Sequence, residues 1–183
     1  MLVDAVNIPG VFKITPSPIK DERGEFFRYY CKDTFYQNGI DYEFVQFNHS
    51  INKVKGTLRG MHYQVAPYAE AKLIRCTRGA IYDVYVDLRQ DSDKFLQWGY
   101  EILSEANYSM LLLPPGVAHG FITMEPDTHI LYHHSSFYNP KAERGLRFDD
   151  PLIDIEWPMK PEVMSQRDMK HTFLTKAFKG ISV

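Results

Sequence analysis

The 183 residues suit one domain spanning 1–183, large enough to bury a core without disulfide or metal staples. Apolar residues at 44% and charged residues at 24% are ordinary for a globular chain, and a net charge of −2 excludes global attraction to nucleic acid or an anionic membrane. Cys31 and Cys76 lie far apart without ligand spacing, so neither a disulfide framework nor a zinc site is suggested.

Met1 to Pro9 carries Asp4 and has neither a basic start nor a long apolar run, so no signal peptide is expected. No stretch has the length of a membrane span, and a reducing cytoplasm is the expected compartment. Val11 to Ile14 reads as a short strand ended by Thr15-Pro16-Ser17-Pro18, where proline removes ladder donors. Asp21 to Gly24 is turn chemistry, and Glu25 to Tyr30 follows as an aromatic strand. Asp33 can cap one or two helical turns through Gln37, closed by Asn38-Gly39. Phe44 to Ser50 extends again, with Gln46 and Asn48 on one parity and Val45, Phe47 and His49 on the other.

Gly56 to Gln64 carries a guanidinium, an imidazole, a phenol and an amide on one strand-like segment. Strict alternation puts Arg59 and Tyr63 on one side and Leu58, His62 and Gln64 on the other. A side with this mixture suits the inside of a barrel that holds a polar ligand. Ala71 to Thr77 and Ala80 to Leu88 read as strands hinged at Arg78-Gly79, the second alternating Ile81, Asp83, Tyr85, Asp87 against Tyr82, Val84, Val86, Leu88. Gly99 to Leu103 and Ser109 to Leu113 form an expected pair across a polar turn. Ala118 to Met124 starts another strand after Pro114-Pro115-Gly116. Thr128 to Ser135 is strand-like, with Tyr132 and His134 on one face; His133 and His134 are expected at the surface or rim. Asn139 to Asp150 reads as a charged loop, and Ser165 to Phe178 as the only sizeable helix, capped by Ser165. Many short strands with Gly/Pro punctuation predict an all-β sandwich or barrel.

Pro114-Pro115-Gly116-Val117-Ala118-His119 resembles the second motif of the cupin jelly-roll superfamily. The His-x-His of metal cupins is missing, because Gln64 stands two residues after His62. Two histidines, an amide and Glu70 make a poor metal shell. A metal-free pocket of His, Tyr, Lys and Arg suits acid–base work at a carbon beside a carbonyl. Imidazole supplies a base near neutral pH, Lys72 a cation for the enolate oxygen, and a tyrosine such as Tyr132 an acid on the opposite face. Arg23 and Arg59 can fork onto a diphosphate.

Gly56 to Gln64, Pro114 to Phe121 and Glu143 to Pro151 occur in the order and spacing of one family. The chain resembles the dTDP-4-dehydrorhamnose 3,5-epimerases, the dTDP-sugar isomerases of bacterial deoxysugar and surface-polysaccharide synthesis. The likeness runs from Ile8-Pro9-Gly10-Val11 to Ser165-x-x-Asp168. It implies a cupin-type jelly-roll barrel with a few short flanking helices, mainly C-terminal, and chemistry without metal or other cofactor. It implies His62 as base with Asp168 as its dyad partner, Lys72 on the enolate, Tyr132 as acid, and His119 near the sugar. Arg59, Gln46 and Asn48 would contact the nucleotide diphosphate and sugar, and Tyr138 the base. The family forms homodimers through N-terminal strands, so Arg23 and Phe26 would reach the neighbour's site.

Two departures remove negative charge where the family binds nucleotide: Arg28 replaces a Glu, and Phe47 replaces an acidic residue. They open CDP- or GDP-linked 4-keto sugars as alternatives to dTDP. A 3,4-ketoisomerase, a non-catalytic nucleotide-sugar binding module and a metal-dependent cupin are the alternative functions.

Overall fold

The apolar alternation condenses into strands, of which Ala80–Asp87 and Val117–Thr123 are buried along both faces. A computed structural model describes residues 1–183. Its elements are β1 (Leu2–Ala5), β2 (Phe12–Thr15), β3 (Ile19–Asp21), β4 (Gly24–Phe26), α1 (Lys32–Gln37), β5 (Gln46–Asn52), β6 (Thr57–Gln64) and β7 (Lys72–Arg78). They continue as β8 (Ala80–Asp87), β9 (Trp98–Ser104), β10 (Met110–Leu113), β11 (Val117–Thr123), β12 (Thr128–His134), β13 (Glu143–Gly145), β14 (Val163–Met164) and α2 (Gln166–Met169). One sheet has the order β1-β2-β10-β7-β12-β5, and the other β13-β6-β11-β8-β9 with β14 joined to β6. The hairpin β3–β4 stands apart as its own two-stranded sheet.

Ile74, Leu111 and Ile130 of the first sheet meet Ile81, Tyr85 and Phe121 of the second in a common core. Each such fully buried side chain contributes about 1.5–3 kcal/mol of transfer free energy. The outer face of the second sheet, including Tyr82, Val84, Val86 and Leu88, is covered by Ile153, Ile155 and partly buried C-terminal residues such as Phe178. Phe35 and Ile40 cover Ile14, Leu73, Met110 and Leu112 on the first sheet's outer face. Two facing antiparallel sheets with β7 and β8 crossing between them at Gly79 make a cupin-type jelly roll.

Local departures from the alternation have physical causes. Only Gln166–Met169 of the expected C-terminal helix is helical, with Ser165 Oγ accepting from Asp168 N at 3.0 Å. The chain then straightens to lay Leu174, Phe178 and Ile181 on the apolar outer face of the second sheet. The longer helix, α1, is therefore N-terminal, and its N-cap is Cys31 without a side-chain bond. The expected pair β9 and β10 separates: β9 ladders with β8, and β10 with β2 and β7, so the Ser104–Asn107 turn crosses between sheets. The aromatic strand stops at Phe26 because Phe27 and Tyr29 turn to stack under the Arg75 guanidinium. Leu2–Ala5, unassigned by the alternation, extends the first sheet beside β2. No helix is long and apolar enough to cross a membrane.

Candidate active site

The site begins with a break in the pleat of β6. His62 pairs with His119 and Arg59 with Phe121, so Gly60 and Met61 together oppose Gly120 alone. This bulge shifts the phase of the strand. Arg59 and His62 consequently share the cavity, while Leu58 and Met61 enter the outer core. Strict alternation predicts Arg59 and His62 on opposite sides; the bulge puts both on the cavity side instead. Glycine is required at the bulge: Gly60 has φ +130°, and a Cβ there would lie 2.5 Å from Gly120 Cα.

Between the sheets a cavity of 670 Å³ is lined by His62, Lys72, His119, Tyr132, Arg59 and Asp168, among others. His62 Nε2 lies 2.8 Å from Asp168 Oδ1, whose side chain is only 4% exposed. Burial raises the Asp168 carboxyl, but the His62 hydrogen bond and charge, with the Gly60 N–H, outweigh it and hold it below the usual range. A carboxylate only accepts, so it takes the N–H of Nε2 and leaves Nδ1 as the basic nitrogen.

Lys72 Nζ donates to the His62 carbonyl at 3.3 Å and pairs with Glu70 Oε1 at 3.2 Å. On the same sheet as Lys72, and across the cavity from His62, Tyr132 OH lies 3.4 Å from Ser50 Oγ, and burial pushes its phenol up, so it stays protonated at neutral pH. His119 Nε2 contacts Asp83 Oδ1 at 2.5 Å; burial raises that carboxyl against the opposing pull of His119. Arg59 Nε donates to Asn52 Oδ1 at 2.7 Å. Asn48 and Tyr138 also line the cavity; Gln46 is outside the lining, and its Oε1 accepts from Tyr138 N at 3.0 Å.

Arg23 and Phe26 are not brought to this cavity within one chain. Arg23 pairs with Asp21 on the β3–β4 hairpin, and Phe26 is 71% exposed. His134, expected at the surface or rim, is instead buried in the cavity wall with Nδ1 3.1 Å from Glu70. His133 is also buried, on the outer face, with its ring 4.7 Å from that of Phe47. Phe47 therefore points away from the cavity, and its lost charge does not alter the pocket lining. Asp149 pairs with Arg147, and buried Asp150 accepts from Leu152 N and Leu174 N, so both are loop structure as read.

His134, Ser50, Glu143 and Arg167 line the cavity beyond the expected site residues, as does Glu70, which the sequence offered only as a carboxylate for a metal shell. Parity held the signal for two of them: His134 shares the face of Tyr132, and Ser50 that of Asn48. Arg167 reaches Glu143 at 2.8 Å and approaches His62 Nε2 at 3.4 Å. His62, Asp168 and His171 cluster with ligand atoms within 4.8 Å. A cation there would compete with the His62–Asp168 bond and face the Arg167 guanidinium, so this donor set does not suit a divalent metal.

Residues 5–176 match the family model described as dTDP-4-dehydrorhamnose 3,5-epimerase. A dTDP-4-dehydrorhamnose 3,5-epimerase of Sinorhizobium fredii (strain NBRC 101917 / NGR234) is 41% identical over 92% of this chain and 87% of its own. The crystal structure of the Bacillus anthracis str. Ames enzyme of that name, with TDP and PPi bound, superposes with a TM-score of 0.92 at 38% identity, covering 94% of this chain and 99% of its own. A Legionella pneumophila Philadelphia 1 enzyme, dTDP-6-deoxy-D-glucose-3,5-epimerase, in complex with dTDP-4-keto-L-rhamnose, has a TM-score of 0.89 at 32% identity, covering 94% and 92%. With its jelly roll and this extent of likeness, the chain belongs to the dTDP-4-dehydrorhamnose 3,5-epimerase family.

Proposed function

We propose that residues 1–183 form one epimerase domain acting on a nucleotide-diphosphate-linked 4-keto-6-deoxyhexose, of the dTDP-4-dehydro-6-deoxyglucose type. The observation that carries this reading is a base and an acid on facing sheets: the His62–Asp168 dyad on β6 and α2, and Tyr132 on β12. His62 Nδ1 takes the proton beside the C4 ketone. Lys72 donates to the enolate oxygen as charge develops there. Tyr132 returns a proton to the carbon from the other face, which inverts the centre. Asp168 holds the imidazole in one tautomer and stabilises it once protonated. Proton transfer of this kind needs no redox cofactor.

Arg59, Asn48 and Gln46 bind the diphosphate and sugar, His119 faces the sugar, and Tyr138 stacks on the base. Relatives that bind TDP and a dTDP-sugar support the choice of dTDP, and so does the outward direction of Phe47. The protruding β3–β4 hairpin and the exposed Phe47 and Ile51 of β5 support a homodimer in which Arg23 and Phe26 complete the partner's site. Sedimentation velocity tests this, with a monomer at micromolar concentration as the contrary result.

Proton NMR in heavy water, with dTDP-, CDP- and GDP-linked 4-keto-6-deoxy sugars, tests the reaction. Fastest exchange with the dTDP sugar is expected, and the exchanging positions (C3, C5 or both) define the specificity. A shifted carbonyl in the product identifies a ketoisomerase instead. Binding without exchange of any sugar proton refutes the epimerase reading.

A further inference from the structure

His134 occupies a singular place in the first sheet. Its strand β12 lies between β7 and β5, and in the ladder His134 is directly opposite Lys72 on one side and Gln46 on the other. Its Nδ1 is 3.1 Å from Glu70 Oε2, and its Nε2 is 3.3 Å from Asn48 Nδ2. The ring also lies along Tyr132, at 6.0 Å between centroids and 25° between planes. Glu70 in turn receives Lys72 Nζ at 3.2 Å and Gln64 Nε2 at 3.1 Å, with its side chain only 7% exposed.

Donor and acceptor counting fixes the direction of this chain. Asn48 Oδ1 faces Gln46 Nε2 at 3.5 Å, so Asn48 presents its NH2 to the imidazole. An amide NH2 only donates, which makes Nε2 of His134 a bare acceptor and puts the ring proton on Nδ1, toward Glu70. The path therefore reads Asn48 to His134 to Glu70, with Lys72 and Gln64 donating to the same carboxylate. Glu70 is held below the usual carboxylate range: burial raises it, but the His134 bond and the Lys72 charge outweigh burial.

Lys72 has three N–H bonds, one given to the His62 carbonyl and one to Glu70, which leaves one for a ligand. Asn48 has two, one given to His134, which again leaves one. Both residues line the cavity. Without Glu70, Lys72 keeps only the His62 carbonyl as an anchor. Without His134, the Asn48 carboxamide keeps only the long 3.5 Å contact to Gln46.

We propose that Glu70 and His134 form a positioning pair, a bridge that aims the Asn48 amide at the nucleotide-sugar and the Lys72 ammonium at the reacting oxygen. Neither residue is catalytic; each acts through another. The role assigned to Lys72 rests on the epimerase reading, whereas the role of Asn48 requires only that the cavity bind a nucleotide diphosphate.

The experiment uses the full chain, dTDP as the binding probe, and dTDP-4-keto-6-deoxyglucose in heavy water. Glu70→Gln keeps the shape but turns an acceptor into a donor, breaking one contact to Lys72 or His134. It is expected to lower kcat for proton exchange at least 10-fold with KM changed less than threefold. His134→Phe keeps a ring against Tyr132 but loses both nitrogens, and is expected to weaken dTDP binding in calorimetry at least fivefold. The double variant is expected to lose less in kcat/KM than the product of the single losses, because both cut one path. Thermal unfolding accompanies each variant; if Glu70→Gln fails to fold, Glu70→Asp, which keeps the charge on a shorter arm, replaces it with the same expected kcat loss. Values within twofold of wild type in well-folded variants, or fully multiplicative losses, overturn the pair. If wild type binds dTDP but exchanges no sugar proton, the epimerase reading and the Lys72 half of the proposal fall, and the affinity of His134→Phe decides the Asn48 half.

Discussion

Replacing Asp168 by asparagine separates the charge of the dyad from its shape. The Asp168 backbone N–H still reaches Ser165 Oγ at 3.0 Å, so the cap of α2 persists. The side chain changes in one respect that matters: a carboxylate that only accepts becomes an amide that can also donate. At the 2.8 Å separation from His62 Nε2, an asparagine NH2 turned toward the ring selects the opposite tautomer, with the proton on Nδ1 where the sugar carbon requires a base. The charge that stabilises the protonated imidazole is lost as well. General-base catalysis contributes about 10²–10⁴ in rate, so kcat should fall by roughly that factor, about 3–5 kcal/mol at ~1.4 kcal/mol per decade. Folding should suffer less, by about 1–3 kcal/mol, the range for a hydrogen bond to a charged buried group. The assay is single-turnover deuterium incorporation beside the C4 ketone, with thermal unfolding measured in parallel. A folded Asp168→Asn enzyme within threefold of wild-type kcat would refute the dyad.

Tyr132→Phe removes the proposed acid and leaves the proposed base, so deuterium should still enter beside the ketone within about 10-fold of wild type, while inverted product falls by about 10²–10³; undiminished inversion contradicts the assignment. Gly60→Ala sets a Cβ 2.5 Å from Gly120 Cα at φ +130°, and should cost about 2–5 kcal/mol from strain and overpacking, read as a fall of roughly 5–15 °C in Tm. An unchanged Tm would show that the bulge relaxes freely. Stability should also fall on acidification, because Asp168 and Glu70 have folded-state pKa values below the usual range. Their contribution is complete above the unfolded carboxylate range near about pH 4, and is lost as pH drops through the lower folded-state values. A Tm series from neutral to acid pH checks this, and Asp168→Asn should flatten its slope; an equal slope in both proteins counts against the ion pair.

Residue order alone carried the all-β class, the eight-residue alternation of β8, the Ser165 cap and the chemical types gathered at the site. The family resemblance that the short motifs carry implied one site for His62, Lys72, His119, Tyr132 and Asp168, and all five line one cavity although His62 and Asp168 are 106 positions apart. Which side of each strand that cavity occupies was legible only in part. Alternation reports two faces, and it identifies the inner one only when the other is wet. Here the middle strands of both main sheets have covered outer faces, one beneath Phe35 and Ile40 and the other beneath the C-terminal segment, so apolar residues fall on both parities. That is why His133 and His134 looked alike, although one packs outward against Phe47 and the other bridges Glu70 and Asn48. The bulge at Gly60 is a second tertiary decision, since it needs Gly120 of β11 at close approach and puts Arg59 beside His62 against the local period. The extent of α2 is a third: helical propensity beyond Met169 yields to the apolar surface that Leu174 and Phe178 cover. In each case the chain offers two local solutions of similar energy, and long-range packing chooses between them.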